Sequence, residues 1–125
     1  GYATGLDMTR RDLQTDMKKQ GRPWCIGKSF DHSAPIGPIS PANKITRIEQ
    51  AAIHLQVNDQ ERQRSTIGKL IWNIAETIEH LSTAWELQPG DLIFSGTPEG
   101  VGPVVSGDAM VGGVDGLESI RVKVV

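Results

Sequence analysis

One cysteine, no block of like charge and no long hydrophobic run: each shortage in this 125-residue chain closes off a class of protein. Cys25 alone cannot build an internal disulfide framework, which fits a reducing, cytoplasmic setting. The 13 Lys and Arg against 15 Asp and Glu leave a net charge of −2, with the two signs interspersed. Without a basic stripe there is no footprint for nucleic acid, and without an acidic tail there is no disordered partner-binding arm. The apolar runs fall far short of the roughly 18 residues that a membrane span needs. No leader pattern is visible, but the chain opens on Gly1-Tyr2-Ala3-Thr4 without a methionine, which leaves targeting open. These first residues read as the middle of an extended segment, so an N-terminal part is expected to be missing.

The rest of the pattern predicts a β-rich α+β domain. Residues 1–8 read as a strand running into a polar turn, and residues 9–20 as a short helix with Thr9 as N-cap and Asp12 in a capping-box-like position. Pro23, Pro35, Pro38 and Pro41 make the stretch up to residue 44 an ordered, irregular loop. Ala52 to Val57 alternates apolar and polar, the period of a half-buried strand. Asn58-Asp59 tolerates positive φ and predicts a hairpin return through Glu61-Arg62-Gln63. The spacing of Ile67, Leu70, Ile71, Ile74, Ile78 and Leu81 predicts one main helix over about 66–85. Leu92-Ile93-Phe94 reads as a short buried strand, and 108–125 as a hairpin turning at Asp115-Gly116.

Three polar clusters carry the chemistry. Asp7 ends the first apolar segment; it caps the following helix, or it offers the hard oxygen that Mg²⁺, Mn²⁺ or Ca²⁺ prefers. Arg11 is expected to pair with a carboxylate, and Gln14 lies two helical turns on from Asp7, either solvated or facing the same cavity. Lys28, between Gly27 and Ser29 and just before Phe30, is either a surface lysine or an ammonium fixed over an anionic intermediate. Gly96-Thr97-Pro98, with Gly100 and Gly102, is either a structural turn or a cradle whose N–H groups and Thr97 hydroxyl bind a carboxylate. It lacks the Gly-Lys-Ser/Thr order of a phosphate loop. Cys25, His32, His54 and His80 form no dyad.

In this order the clusters resemble the fumarylacetoacetate hydrolase family. The resemblance runs through Gly-Tyr-(x)4-Asp7-Met-Thr-x-Arg11-Asp12-x-Gln14, then Trp24 and Gly27-Lys28-Ser29-Phe30-Asp31. It continues in Pro89-Gly90-Asp91-(x)4-Gly96-Thr97-Pro98-x-Gly100-Val101-Gly102. It covers essentially the whole chain and is nearest to the small acylpyruvase and oxaloacetate decarboxylase type. The resemblance implies that residues 1–125 are the C-terminal portion of a single catalytic domain, a mixed β-sandwich roll incomplete at its N-terminus.

It further implies that Asp7 is one metal carboxylate. Gln14, Lys28 and Thr97 would be catalytic and, with Gly96, bind substrate. The family's Glu-x-Glu metal pair and water-activating His/Glu elements precede the matching segment, and no Glu-x-Glu occurs here. Arg10 stands where the family usually has a small residue. The implied activity is cleavage of a C–C bond in short 2,4-dioxo or 2-oxo acids through a metal-stabilised enolate, with Mg²⁺ (or Mn²⁺, Ca²⁺) as cofactor. Oxaloacetate decarboxylation and 2-hydroxydienoate isomerisation pass through the same enolate and stay open. So does a non-enzymatic small-acid-binding or dimeric scaffold protein. The 125 residues alone are expected to be inactive, and the whole protein to be a homodimer.

Overall fold

Alternation of apolar and polar residues puts Ile53, Leu55 and Val57 on one side of strand β1 (Ala52–Val57). Asn58 and Asp59 follow at φ 50° and 62°, the left-handed pair that a two-residue hairpin turn requires. They return the chain into β2 (Gln60–Thr66). The computed structural model describes all residues 1–125. Its four-stranded sheet runs in the order β2-β1-β3-β4, antiparallel throughout, with β3 at Ala109–Val114 and β4 at Ile120–Lys123. The hairpins expected at Asn58-Asp59 and Asp115-Gly116 are both present.

The core lies on one face of this sheet. Across β1 and β3, Ile53 faces Val114, Leu55 faces Gly112 and Val57 faces Met110. Leu6, Val57, Met110 and Ile120 form one buried cluster, and Ile48, Ala51 and Val114 a second. Gly112 is needed for close approach. A Cβ there would stand 3.1 Å from Leu6 Cδ2 and 3.2 Å from Ile120 Cγ2. On the opposite face the His54 ring occupies the space that a side chain at Gly113 would fill.

The segment expected to be a strand over 1–8 is extended but not a full strand. Tyr2, Leu6 and Met8 donate to Ser40, Pro35 and Ser33, while Gly37 donates to Thr4. The partner stretch contains Pro35 and Pro38, which have no N–H to give, so only isolated bridges form, Tyr2 with Ser40 and Gly5 with Ile36.

Helix α1 (Arg11–Lys19) lies where expected, but Arg10 precedes it and no side chain caps it. Thr9, the expected cap, accepts a bond from Lys28 instead. A short α2 (Cys25–Lys28) packs on α1.

The helix expected over 66–85 is shorter. β2 continues to Thr66, because Ser65 and Thr66 pair with Ile53 and Ala52. A single 3₁₀ turn, Ile67–Lys69, follows. Helix α3 then spans Ile74–Ser82, closed by a reciprocal capping box between Asn73 and Glu76. The apolar stripe is thus divided between two elements, and Ile71, between them, is 96% exposed. Leu92-Ile93-Phe94 is likewise neither strand nor buried, and it pairs with none of the four strands of the sheet.

Candidate active site

Asp7 follows the extended segment that crosses the core, and Met8 is tied by its N–H to Ser33 O at 2.8 Å. Lys28 ends α2, whose approach to α1 depends on Gly27. A Cβ at Gly27 would stand 2.8 Å from the Gln14 nitrogen, and Gly27 O accepts from Arg10 N at 3.0 Å. This packing fixes Lys28 above the end of the first segment. Its Nζ lies 2.5 Å from Asp7 Oδ1 and 2.9 Å from Thr9 Oγ1. The Asp7 side chain is 51% exposed and that of Lys28 30%, so solvent still reaches the pair. Such a pair contributes on the order of 1 kcal/mol or less to stability. The interest of the pair is therefore chemical: a positive and a hard negative group meet at one open wall.

Gln14 packs its backbone against Gly27, next to Lys28. Its Oε1 accepts from Arg11 Nη1 at 2.7 Å. Arg11, expected to pair with a carboxylate, therefore binds an amide. Arg10 stacks 4.3 Å above the Phe30 ring, a cation–π contact beside the wall.

Thr97 and Gly96 lie in a second group. With Ser95, Lys69, Leu70, Ile71, Trp72 and Thr77 they line an open hollow of about 550 Å³. Thr97 Oγ1 accepts from Gln63 Nε2 at 2.8 Å. No direct hydrogen bond joins this group to Asp7 and Lys28. The link is through packing, since the Phe94 ring lies 3.0 Å from where a Cβ on Gly5 would be, two residues before Asp7.

Two participants escaped the sequence reading. Thr9 looked like a helix cap. Gln63 sits in the polar run Gln60-Glu61-Arg62-Gln63-Arg64, which reads as a solvated strand and carries no signal of burial.

No three His, Cys, Asp or Glu side chains of the chain converge to hold an ion. Lys28 engages only Oδ1 of Asp7, which leaves Oδ2 as one hard oxygen donor. The residues present thus fit one corner of a divalent-ion site, not a whole one.

The family model described as fumarylacetoacetate (FAA) hydrolase C-terminal matches residues 1–125. The chain belongs to the fumarylacetoacetate hydrolase family. Within that family it is 52% identical over 124 residues to a fumarylpyruvate hydrolase from a Ralstonia species, covering 99% of this chain and 64% of that protein. It is 42% identical over 124 residues to the mitochondrial oxaloacetate tautomerase FAHD1 of mouse, covering 99% of this chain and 56% of that one. A crystal structure of fumarylpyruvate hydrolase from Pseudomonas aeruginosa, in complex with Mn²⁺ and pyruvate, superposes with a TM-score of 0.97. It is 59% identical, over 100% of this chain and 54% of that one. The chain therefore spans a little over half the length of the relatives it matches. The β-rich fold expected for the family is the one observed.

Proposed function

We propose that the protein carrying this chain hydrolyses short acylpyruvates to pyruvate and a carboxylic acid, in a reaction that depends on a divalent metal. One observation carries the reading. The Asp7 carboxylate and the Lys28 ammonium meet at an open wall, in a chain 59% identical to a structure described with Mn²⁺ and pyruvate. Mg²⁺, Mn²⁺ and Ca²⁺ all suit a carboxylate oxygen. A bound ion, with Asp7 as one ligand, would act as a Lewis acid on the 2-oxo-carboxylate end of the substrate.

The chain's own residues supply the remaining electrostatics. Water adds to the distal carbonyl, and the bond between that carbon and the methylene of the pyruvate part breaks. The electron pair passes to the pyruvate part as an enolate, which a proton then converts to pyruvate. Lys28 faces the charge that develops on the enolate oxygen. A group of this kind lowers the barrier by on the order of 3 kcal/mol. Thr97 donates its hydroxyl hydrogen to the substrate carboxylate. Gln14, whose oxygen is taken by Arg11, has its amide N–H groups free to orient the distal carbonyl.

A second reading, tautomerisation or decarboxylation of oxaloacetate, is favoured by the 42% identity to proteins named oxaloacetate tautomerase. A homodimer is part of the proposal, supported by exposed Ile71, Trp72 and Trp85.

The test is turnover of acetylpyruvate and of oxaloacetate by the full-length protein with Mn²⁺ and, separately, Mg²⁺. Acetylpyruvate should be cleaved, and K28A should lower kcat about 100-fold. K28A with undiminished turnover overturns the role of Lys28. Oxaloacetate as the preferred substrate selects the second reading. Tight pyruvate binding without turnover of either points to a small-acid-binding protein.

A further inference from the structure

Two polar residues of the chain are buried, Thr4 and Gln63. The Thr4 hydroxyl has no partner, whereas Gln63, 8% exposed, spends both hydrogens of its amide. Nε2 donates to Thr97 Oγ1 at 2.8 Å and to Pro98 O at 2.7 Å. The Pro98 carbonyl can only accept, so the nitrogen and not the oxygen of the amide must face the turn. Thr97 must therefore accept from Gln63, and its own hydroxyl hydrogen is directed elsewhere.

The placement of Gln63 is built into the sheet. Leu55 faces Gln63 while Gln56 faces Glu61, so Arg62 is the extra residue of a β-bulge. Bulges re-aim the side chains beside them. Here Gln63 is turned to the face on which Leu55 packs. The next loop is seated on the same bulge. Gly100, at φ 97°, approaches so closely that a Cβ would stand 2.0 Å from Arg62 O.

We propose that Gln63 is a positioning residue for the substrate carboxylate. By donating to Thr97 and Pro98 it locks the Thr97 hydroxyl as a donor aimed at the anion. This rests on the reading of Thr97 as a carboxylate-binding group given above. Gln63 itself touches no reacting atom. Its effect falls on recognition of the anion in ground state and transition state alike.

The test uses the full-length protein with Mn²⁺, acetylpyruvate as substrate and pyruvate as product inhibitor. Q63E replaces the donor by a carboxylate, which can only accept from Thr97 and repels Pro98 O. Q63M keeps the length and removes the donor. Both variants should raise KM and the pyruvate inhibition constant tenfold or more, with kcat within about threefold of wild type. T97V should do the same, and Q63M added to T97V should cost little more, since the two act through one hydroxyl. Because Q63M introduces no charge, it gives the same readout if Q63E fails to fold. Wild-type KM in a folded Q63M overturns the inference while the activity stands. So does a loss confined to kcat, or fully additive effects in the Q63M/T97V pair. Wild-type protein that neither turns over acetylpyruvate nor binds pyruvate overturns the proposed function and this inference with it.

Discussion

Asp108 shows how single residues hold the site's scaffold together. Its carboxylate accepts from Val105 N at 2.9 Å and from Asn58 Nδ2 at 2.8 Å, while Asn58 Oδ1 accepts from Ala109 N at 2.9 Å. The turn after β1 is thereby tied to the start of β3. The Val105 N–H and then the Asn58 amide hold the Asp108 carboxyl below its ordinary value of 3.8; desolvation opposes them weakly and Arg62 assists. A depressed folded value means the charged form stabilises the fold above pH ~4, and that this contribution is lost as pH falls through the lowered folded value. D108N keeps one acceptor oxygen and loses both the charge and the second acceptor. Its melting temperature should lie below wild type at pH 7, and the difference should shrink as pH falls through the lowered folded value. Melts followed by circular dichroism at pH 7 and at a series of lower pH values check this. The Asn58 turn was legible from Asn58-Asp59 alone. The Asp108 contact was not, because the two residues are 50 positions apart.

Among the elements, α3 shows where periodicity misleads. The apolar spacing from Ile67 to Leu81 fits one helix, yet β1 offers Ser65 and Thr66 backbone partners across a ladder. A strand pairing already under way outweighs modest helix propensity at these two residues. The helix start that wins is local and chemical. Asn73 Oδ1 accepts from Glu76 N at 2.9 Å, and Asn73 N donates to Glu76 Oε2 at 2.8 Å. Asn73-x-x-Glu76 was present in the sequence as a capping signature, inside a run that the periodicity had already claimed. N73A should cost about 1 kcal/mol, read as a lower denaturation midpoint with an unchanged slope. α1 and α2 teach the converse. Their contact hangs on Gly27, a residue small enough to let one helix press on the other, and nothing local to Gly27 signals that packing.

For the whole molecule, the balance of buried and exposed apolar surface is the governing fact. Only 12 of 125 residues are buried, while Ile71, Trp72, Trp85, Leu92, Ile93 and Phe94 are each at least 40% exposed. Several of these line an open hollow of about 540 Å³ with Leu81 and Leu87. Exposed apolar patches of this size are surfaces at which chains associate with other proteins, membranes or ligands. The 125 residues prepared alone should bind a hydrophobic dye and self-associate with rising concentration. I71K together with W85K should reduce both effects in light scattering and dye fluorescence. Dye binding no greater than that of an ordinary soluble domain would remove the argument from exposed surface for a dimer. In the same way a single carboxylate donor at Asp7 cannot make a metal site by itself.

The sequence by itself determined the hairpins, the place of α1, the irregular proline-rich return and the three clusters. Each of these rests on chemistry between near neighbours: alternation, positive φ at Asn58 and Asp59, missing N–H groups at proline. Only the tertiary structure decided that Lys28 reaches Asp7 and Thr9, and that Gln63 is buried against Thr97. Those outcomes depend on a one-residue bulge at Arg62 and on close packing at Gly27 and Gly100. Such details arise when segments far apart in the chain compete for the same space, and no local pattern encodes them.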